Sequence, residues 1–301
     1  MTELQRYLAE EIAEDHADGI LTRREALRRL GLLGLSTSAA ATLLAEPAAG
    51  AGPPAAAAKT PAKGTSTEWT PVVTQPITFA GPEGRTLMGA WAPAARRRGG
   101  VLVIHENRGL NDHIRLVAGR LAASGYSALA IDLLSEEGGT GAFPGEAEVG
   151  AALAGVPPER FDADMKAGVS ELRRRLPRAR LAAIGFCFGG GMVWRLLAAR
   201  ERRLAAAAPF YGPFPENAGL RGSRAAVLGV YGALDTRVGA TRDAARAALK
   251  AARLPHELVT FGGADHAFFN DTGARFNAPA AAEAYRRVLA WFDLFVARRP
   301  R

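Results

Sequence analysis

The sequence predicts an α/β protein: a mostly parallel sheet flanked by helices on both faces. Three observations lead there. Short apolar runs alternate with helical stretches beyond residue 100, as they do when strands of a parallel sheet are joined by helical crossovers. Hydrophobic residues fill 48% of the 301 positions, enough for one globular core of ordinary size plus an N-terminal extension. One apolar run, residues 181–184, passes directly into Gly185-Phe186-Cys187-Phe188-Gly189-Gly190 and then into a helical stretch at 192–200. That is a sharp strand-to-helix turn.

In chain order, residues 72–79 and 85–92 read as an antiparallel hairpin turning at Gly81-Pro82-Glu83-Gly84. Residues 101–104 form the next strand, and 112–124 a helix. Residues 135–158 are rich in Gly and Pro and read as a loop near the pocket mouth. A helix follows at 161–176, then the strand at 181–184 and the helix at 192–200. Residues 204–211 and 226–232 are strands, 240–252 a helix and 256–261 a strand. The last helix spans 279–297 and is amphipathic; Pro279 falls in its first turn, where a missing N–H costs nothing.

Cys187 is the chain's one cysteine. A tight turn forces its central residue into a strained conformation, and glycines two positions away remove side chains that would collide with neighbouring backbone. The thiol should then stand exposed at a helix N-terminus, where backbone N–H groups and the helix dipole favour a thiolate. The competing reading is an inert buried cysteine among packing glycines. Order along the chain argues for chemistry, because this architecture presents nucleophile, acid and histidine in that sequence at strand ends.

Asp235 follows the strand at 226–232, and His266 follows the strand at 256–261. A carboxylate there can accept the imidazole N–H and hold the ring in one tautomer; its plainer role is a helix cap. Asp132 and Asp265 compete with Asp235, but the first precedes Cys187 and the second adjoins the histidine. His105 competes with His266, yet it lies upstream of the cysteine and reads as a structural loop residue. His16 precedes the folded domain, His113 starts a helix and His256 starts a strand.

These segments resemble the dienelactone hydrolase, or carboxymethylenebutenolidase, family of the α/β-hydrolase fold. The resemblance covers most of residues 70–297. It is carried by His105-Glu106-Asn107-Arg108-Gly109-Leu110-Asn111, Gly125-Tyr126-Ser127-Ala128-Leu129-Ala130-Ile131-Asp132-Leu133-Leu134, the turn around Cys187, Phe210-Tyr211-Gly212, Asp235, and Ala264-Asp265-His266-Ala267-Phe268. It implies Cys187 as nucleophile, His266 as its base and Asp235 as the group that orients His266. It further implies that Glu106 pairs with the cysteine at rest and helps activate it. The backbone N–H groups of Phe188 and Asn107 would form the oxyanion hole, and the substrate would be a small ester or lactone cleaved through an acyl-enzyme. One departure stands out: where relatives acting on dienelactone carry a substrate-binding arginine, this chain reads Phe268-Phe269-Asn270-Asp271. Asn270 cannot supply that charge, and Arg275 could do so only from a different position in the chain.

Residues 1–65 differ in kind from the domain at 66–301. A charged opening leads to Thr22-Arg23-Arg24-Glu25-Ala26-Leu27-Arg28, an apolar stretch at 32–45 and an Ala/Pro/Gly tract reaching Lys63. This resembles a twin-arginine export signal, with Ala26 where the pattern prefers an aromatic residue and a cleavage site expected within 48–58. Export is therefore expected, the other reading being an N-terminal helix and linker kept on a cytoplasmic protein. The apolar stretch is too short for a stable membrane span, which needs about 20 residues.

The net charge is +8, with arginines grouped at 96–98, 173–175, 200–203 and 298–301. They are not interleaved with aromatics and match no reader motif, so solvated edges are expected rather than a nucleic-acid surface. A single cysteine excludes an internal disulfide. No metal is expected, since His105-Glu106 lacks the second histidine of a zinc helix. No dissociable cofactor is expected either, because the chain has no phosphate loop or dinucleotide fingerprint. Oligomeric state is not readable. Two further readings stand beside hydrolysis of esters: a redox-sensing thiol or non-catalytic binder on the same fold, and an amide- or peptide-cleaving relative.

Overall fold

In the computed structural model, which describes residues 1–45 and 70–297, three helices precede a single eight-stranded sheet. They are α1 (Glu3–Ala17), α2 (Arg23–Leu32) and α3 (Thr37–Leu43). The expected boundary at residue 65, the cleavage region at 48–58 and the arginines at 298–301 lie outside the described residues.

The sheet begins with β1 (Gln75–Ala80) and β2 (Thr86–Ala92), paired antiparallel from Gln75 opposite Trp91 to Ala80 opposite Thr86. Their turn uses Glu83 and Gly84, both at positive φ. Then follow β3 (Gly99–Ile104), α4 (Asp112–Ala123), β4 (Tyr126–Asp132), α5 (Glu146–Gly155), α6 (Pro158–Arg175), β5 (Leu181–Phe186) and α7 (Phe188–Ala198). The chain continues through β6 (Leu204–Phe210), β7 (Ala226–Gly232), α8 (Thr236–Gly239), α9 (Arg242–Ala251), β8 (His256–Phe261) and α10 (Ala278–Phe295). Strand order is β1-β2-β4-β3-β5-β6-β7-β8, with β2 antiparallel to both neighbours and every later pairing parallel.

The helices cover both faces. Tyr126 and Ile131 sit five residues apart on β4 and so point to opposite sides of the sheet. Tyr126 meets Phe292 of α10 edge-on, with ring centroids 5.6 Å apart. Ile131 lies on the side of Gly168 in α6. The hydroxyls of Ser124, capping α4, and Tyr285 of α10 are 3.0 Å apart, while α6 and α7 are tied by Arg195 donating to Asp162 at 2.8 Å. With both faces covered, β3, β4 and β5 are buried at every position.

Three expectations shift. The stretch 135–158 is not all loop, because Glu146–Gly155 forms α5, with Glu146 and Glu148 placed favourably in its first turn. The helix expected from 192 begins at Phe188, directly after Cys187, since the glycines there pack as helix. The helix expected at 240–252 divides into α8 and α9.

Phe292 is fully buried. Phe292→Ala is expected to cost about 3–5 kcal/mol, the usual loss for a buried aromatic cut to Ala, read as a fall in unfolding free energy in urea titration.

Candidate active site

Cys187 has φ 55° and ψ −120°, a strained conformation for a residue with a side chain. The fold imposes it. Cys187 N donates to the Phe210 carbonyl at 3.1 Å, and its own carbonyl accepts from Gly191 N at 3.1 Å. Two glycines let the chain cross this closely: a Cβ on Gly185 would fall 2.1 Å from the Gly189 carbonyl oxygen, and one on Gly189 would fall 2.3 Å from that of Ile104. The turn therefore holds the thiol at the N-terminus of α7.

His266 lies beyond β8 and is buried. Its Nδ1 is 2.7 Å from Asp235 Oδ2, while Asp235 Oδ1 accepts from Val238 N at 3.0 Å. Both readings of Asp235 thus hold, since one oxygen caps α8 and the other orients the imidazole. Burial alone would lower the His266 pKa and raise that of Asp235. Their mutual attraction wins, with Cys187 adding to it, so His266 is raised well above the ordinary histidine range and Asp235 is lowered. Nε2 of His266 is buried with no hydrogen-bond partner among the described residues, which leaves it as the nitrogen available to the thiol.

The competing residues have other work. Asp132 accepts from Leu134 N, Thr140 N and the Thr140 hydroxyl. Asp265 Oδ1 accepts from His266 N at 2.6 Å. His105 is fully buried, with Nδ1 2.6 Å from the Glu106 carbonyl oxygen and Nε2 accepting from Leu133 N at 3.1 Å. It is the structural residue that the sequence implied.

Two expectations are corrected at the thiol itself. Cys187 is not exposed: its relative accessibility is 2%. It lies beneath α1, and the carboxylate bonded to it is Glu11 rather than Glu106. Cys187 Sγ is 3.5 Å from both Glu11 oxygens and 3.4 Å from the Tyr7 hydroxyl. Glu106 is held elsewhere, by Asn270 Nδ2 at 2.7 Å and the Tyr211 hydroxyl at 3.4 Å. Burial, then the Glu11 charge, push the Cys187 thiol above its ordinary pKa.

Of the proposed oxyanion donors, Phe188 opens α7, so its N–H belongs to the unsatisfied first turn of that helix. Asn107 lines the cavity at Cys187 and His266, and its side-chain amide donates to Glu11 at 2.9 Å. Arg275 lines the same cavity, as its chain position allowed. It is already paired, with Asp15 at 2.6 Å and Asp18 at 2.5 Å.

Glu11 and Tyr7 were not among the residues read from the sequence. A signal exists: Leu4, Tyr7, Leu8, Glu11, Asp15 and Asp18 recur at helical spacing, forming one stripe that turns from apolar to acidic. One atom each from Glu11, Cys187 and His266 lie within 4.8 Å of one another. Such an oxygen, sulfur and nitrogen set could grip a thiophilic divalent ion.

Comparison with known proteins bears on the fold and the family. A curated protein of Salmonella typhimurium named for carboxymethylenebutenolidase is 34% identical over 208 residues, covering 64% of this chain and 76% of its own. A Yersinia pestis protein of the same name is 32% identical over 207 residues, with the same coverages. The crystal structure of a dienelactone hydrolase from Klebsiella pneumoniae superposes with TM-score 0.64 at 29% identity, covering 74% of this chain and 99% of its own. One from Anabaena variabilis, at 19% identity and TM-score 0.59, covers 74% and 99% and shares the fold. The model of the dienelactone hydrolase family matches residues 88–296, and this chain belongs to that family.

Proposed function

We propose that this chain hydrolyses small esters or lactones through Cys187, His266 and Asp235, by way of an acyl-enzyme. The observation that carries the reading is the 2.7 Å bond from His266 to Asp235 beside a strained cysteine at a helix N-terminus. A thiol is mostly protonated near neutral pH, so a paired base must remove its proton. His266 Nε2 takes that proton as Sγ bonds to the substrate carbonyl carbon, and the carbonyl oxygen becomes an oxyanion. Backbone N–H groups of Phe188 and Asn107 stabilise that charge. A preorganised donor of this kind contributes about 3–4 kcal/mol to such a step.

The oxyanion then collapses, the C–O bond to the alcohol breaks, and the leaving oxygen receives the proton from His266. Water, deprotonated by His266, attacks the thioester carbon. The second collapse releases the acid and returns sulfur to its protonated state. Asp235 acts throughout by holding the imidazole with Nε2 free and by stabilising its cation. Glu106, fixed by Asn270 and Tyr211, borders the cavity.

Export through the twin-arginine pathway is proposed as well. Arg23 and Arg24 are exposed at the start of α2, where a receptor can read them, and no helix among the described residues is long and apolar enough to cross a membrane.

Cys187→Ala should abolish turnover of an activated aryl ester while leaving the melting curve close to wild type; retained turnover would sink the assignment. Asp235→Asn should lower kcat by a factor on the order of 10⁴, as for the same change in serine triads, with KM little altered. Because burial and the Glu11 charge both oppose the thiolate, alkylation of Cys187 should have a pH midpoint above about 8.5, the free-thiol value. Glu11→Gln should move that midpoint down, as seen in rates measured across pH. Arg23→Lys with Arg24→Lys should hold the chain in the cytosolic fraction of its host.

A further inference from the structure

We infer that α1 is an intramolecular pseudosubstrate that occupies the acyl site, so that a substrate reaches Cys187 only when this helix swings away. This rests on the hydrolase reading above and deepens it. The first argument is volume. The cavity shared by Cys187, His266 and Glu11 measures about 40 Å³. That is room for about one water, whereas pockets for small molecules run to about 300–1,000 Å³. Along the other flank of α1 runs a groove of about 290 Å³, lined by Leu4, Tyr7, Phe161, Phe188 and Met192. The helix borders both spaces, with Tyr7 on the groove and Glu11 on the cavity, so its departure would open the nucleophile's surroundings toward the groove.

The second argument is where the α1 side chains end. The Glu11 carboxylate touches the sulfur and takes the Asn107 side-chain amide, so it occupies the space that a substrate's ester group must enter. Asp15 and Asp18 pair with Arg275, which lines the Cys187 cavity with Arg108, and Glu14 meets Arg237 at 3.2 Å. The same guanidinium lies 4.5 Å from the Tyr7 ring centre. Residues 1–18 carry Glu3, Glu10, Glu11, Glu14, Asp15 and Asp18 against the single Arg6, in a chain of net charge +8.

The third argument is that this docking can come undone. α1 buries Tyr7, Leu8 and Ala9, but its hold on Arg237 and Arg275 is by ion pairs with Glu14, Asp15 and Asp18, and salt weakens the more exposed of these, Asp18, most. Residues of α1 lie ahead of Arg23-Arg24, so a cut between α3 and β1 that removes the export signal also removes the plug.

The test uses the full-length chain, where Cys187 is the sole cysteine and any thiol label reports the site. Iodoacetamide labelling and aryl-ester turnover are measured together on wild type, on Asp15→Asn with Asp18→Asn, and on Glu11→Gln. Wild type is also measured from about 0.01 M to about 1 M salt, which shortens the Debye length from about 30 to about 3 Å. Labelling should rise with salt in wild type. In the double variant it should rise about 3- to 30-fold, the effect on an opening equilibrium of losing two partly buried ion pairs, and turnover should rise in parallel. Labelling at the wild-type rate in the double variant, together with no response to salt, would overturn the inference. A fall in kcat for Glu11→Gln would also overturn it, by making Glu11 a working group of the site. If labelling rises but no variant turns over any ester, the plug stands and the hydrolase reading fails. The salt series needs no substitution, so a poorly folding variant leaves the question decidable.

Discussion

The backbone crossing at Cys187 is the constraint on which the rest of the structure depends. With φ at 55°, the residue is held by one hydrogen bond to Phe210 at the end of β6 and one to the first turn of α7. Such strain persists only where surrounding structure over-determines it. Here that surrounding is close backbone packing through Gly185 and Gly189, which a single Cβ would block. The parallel strands β7 and β8, both on the β6 side of β5, bring Asp235 and His266 to the same end of the sheet as Cys187, so the geometry of the turn decides whether sulfur and imidazole can meet.

The polar groups around that turn divide by what their charges are tied to. Asp235 and His266 stabilise each other's charged forms despite burial. Glu106 gives its oxygens to an amide and a phenol rather than to the sulfur. The carboxylate left in contact with the thiol comes from α1. A buried sulfur beside a carboxylate is a poor thiolate, and a cavity of about 40 Å³ admits no ester. The same helix thus lowers reactivity in two independent ways, by charge and by volume.

The docking of α1 also neutralises the cations near the site. Arg275 and Arg237 reach it from the loop before α10 and from α8, and their positive charge is met by Asp15, Asp18 and Glu14. Unpaired at such a place they would attract anions from solution. Asn270, four positions after His266, donates to Glu106.

The order of strands and helices, the turn at Cys187, and the candidates Asp235 and His266 were legible in the sequence because each depends on local signals: apolar runs, glycines at fixed offsets, and acid or histidine just past a strand. The helix α5 was hidden by glycines that read as loop, and the true start of α7 by glycines that a tight crossing needs. What covers the thiol was not legible, because Glu11 and Cys187 are 176 positions apart, and contact across such a span is set by how surfaces match in three dimensions. The sequence determined which groups could do chemistry at this site; the tertiary structure alone decided which carboxylate touches the sulfur, since burial and charge pairing are properties of the assembled surface and not of any segment.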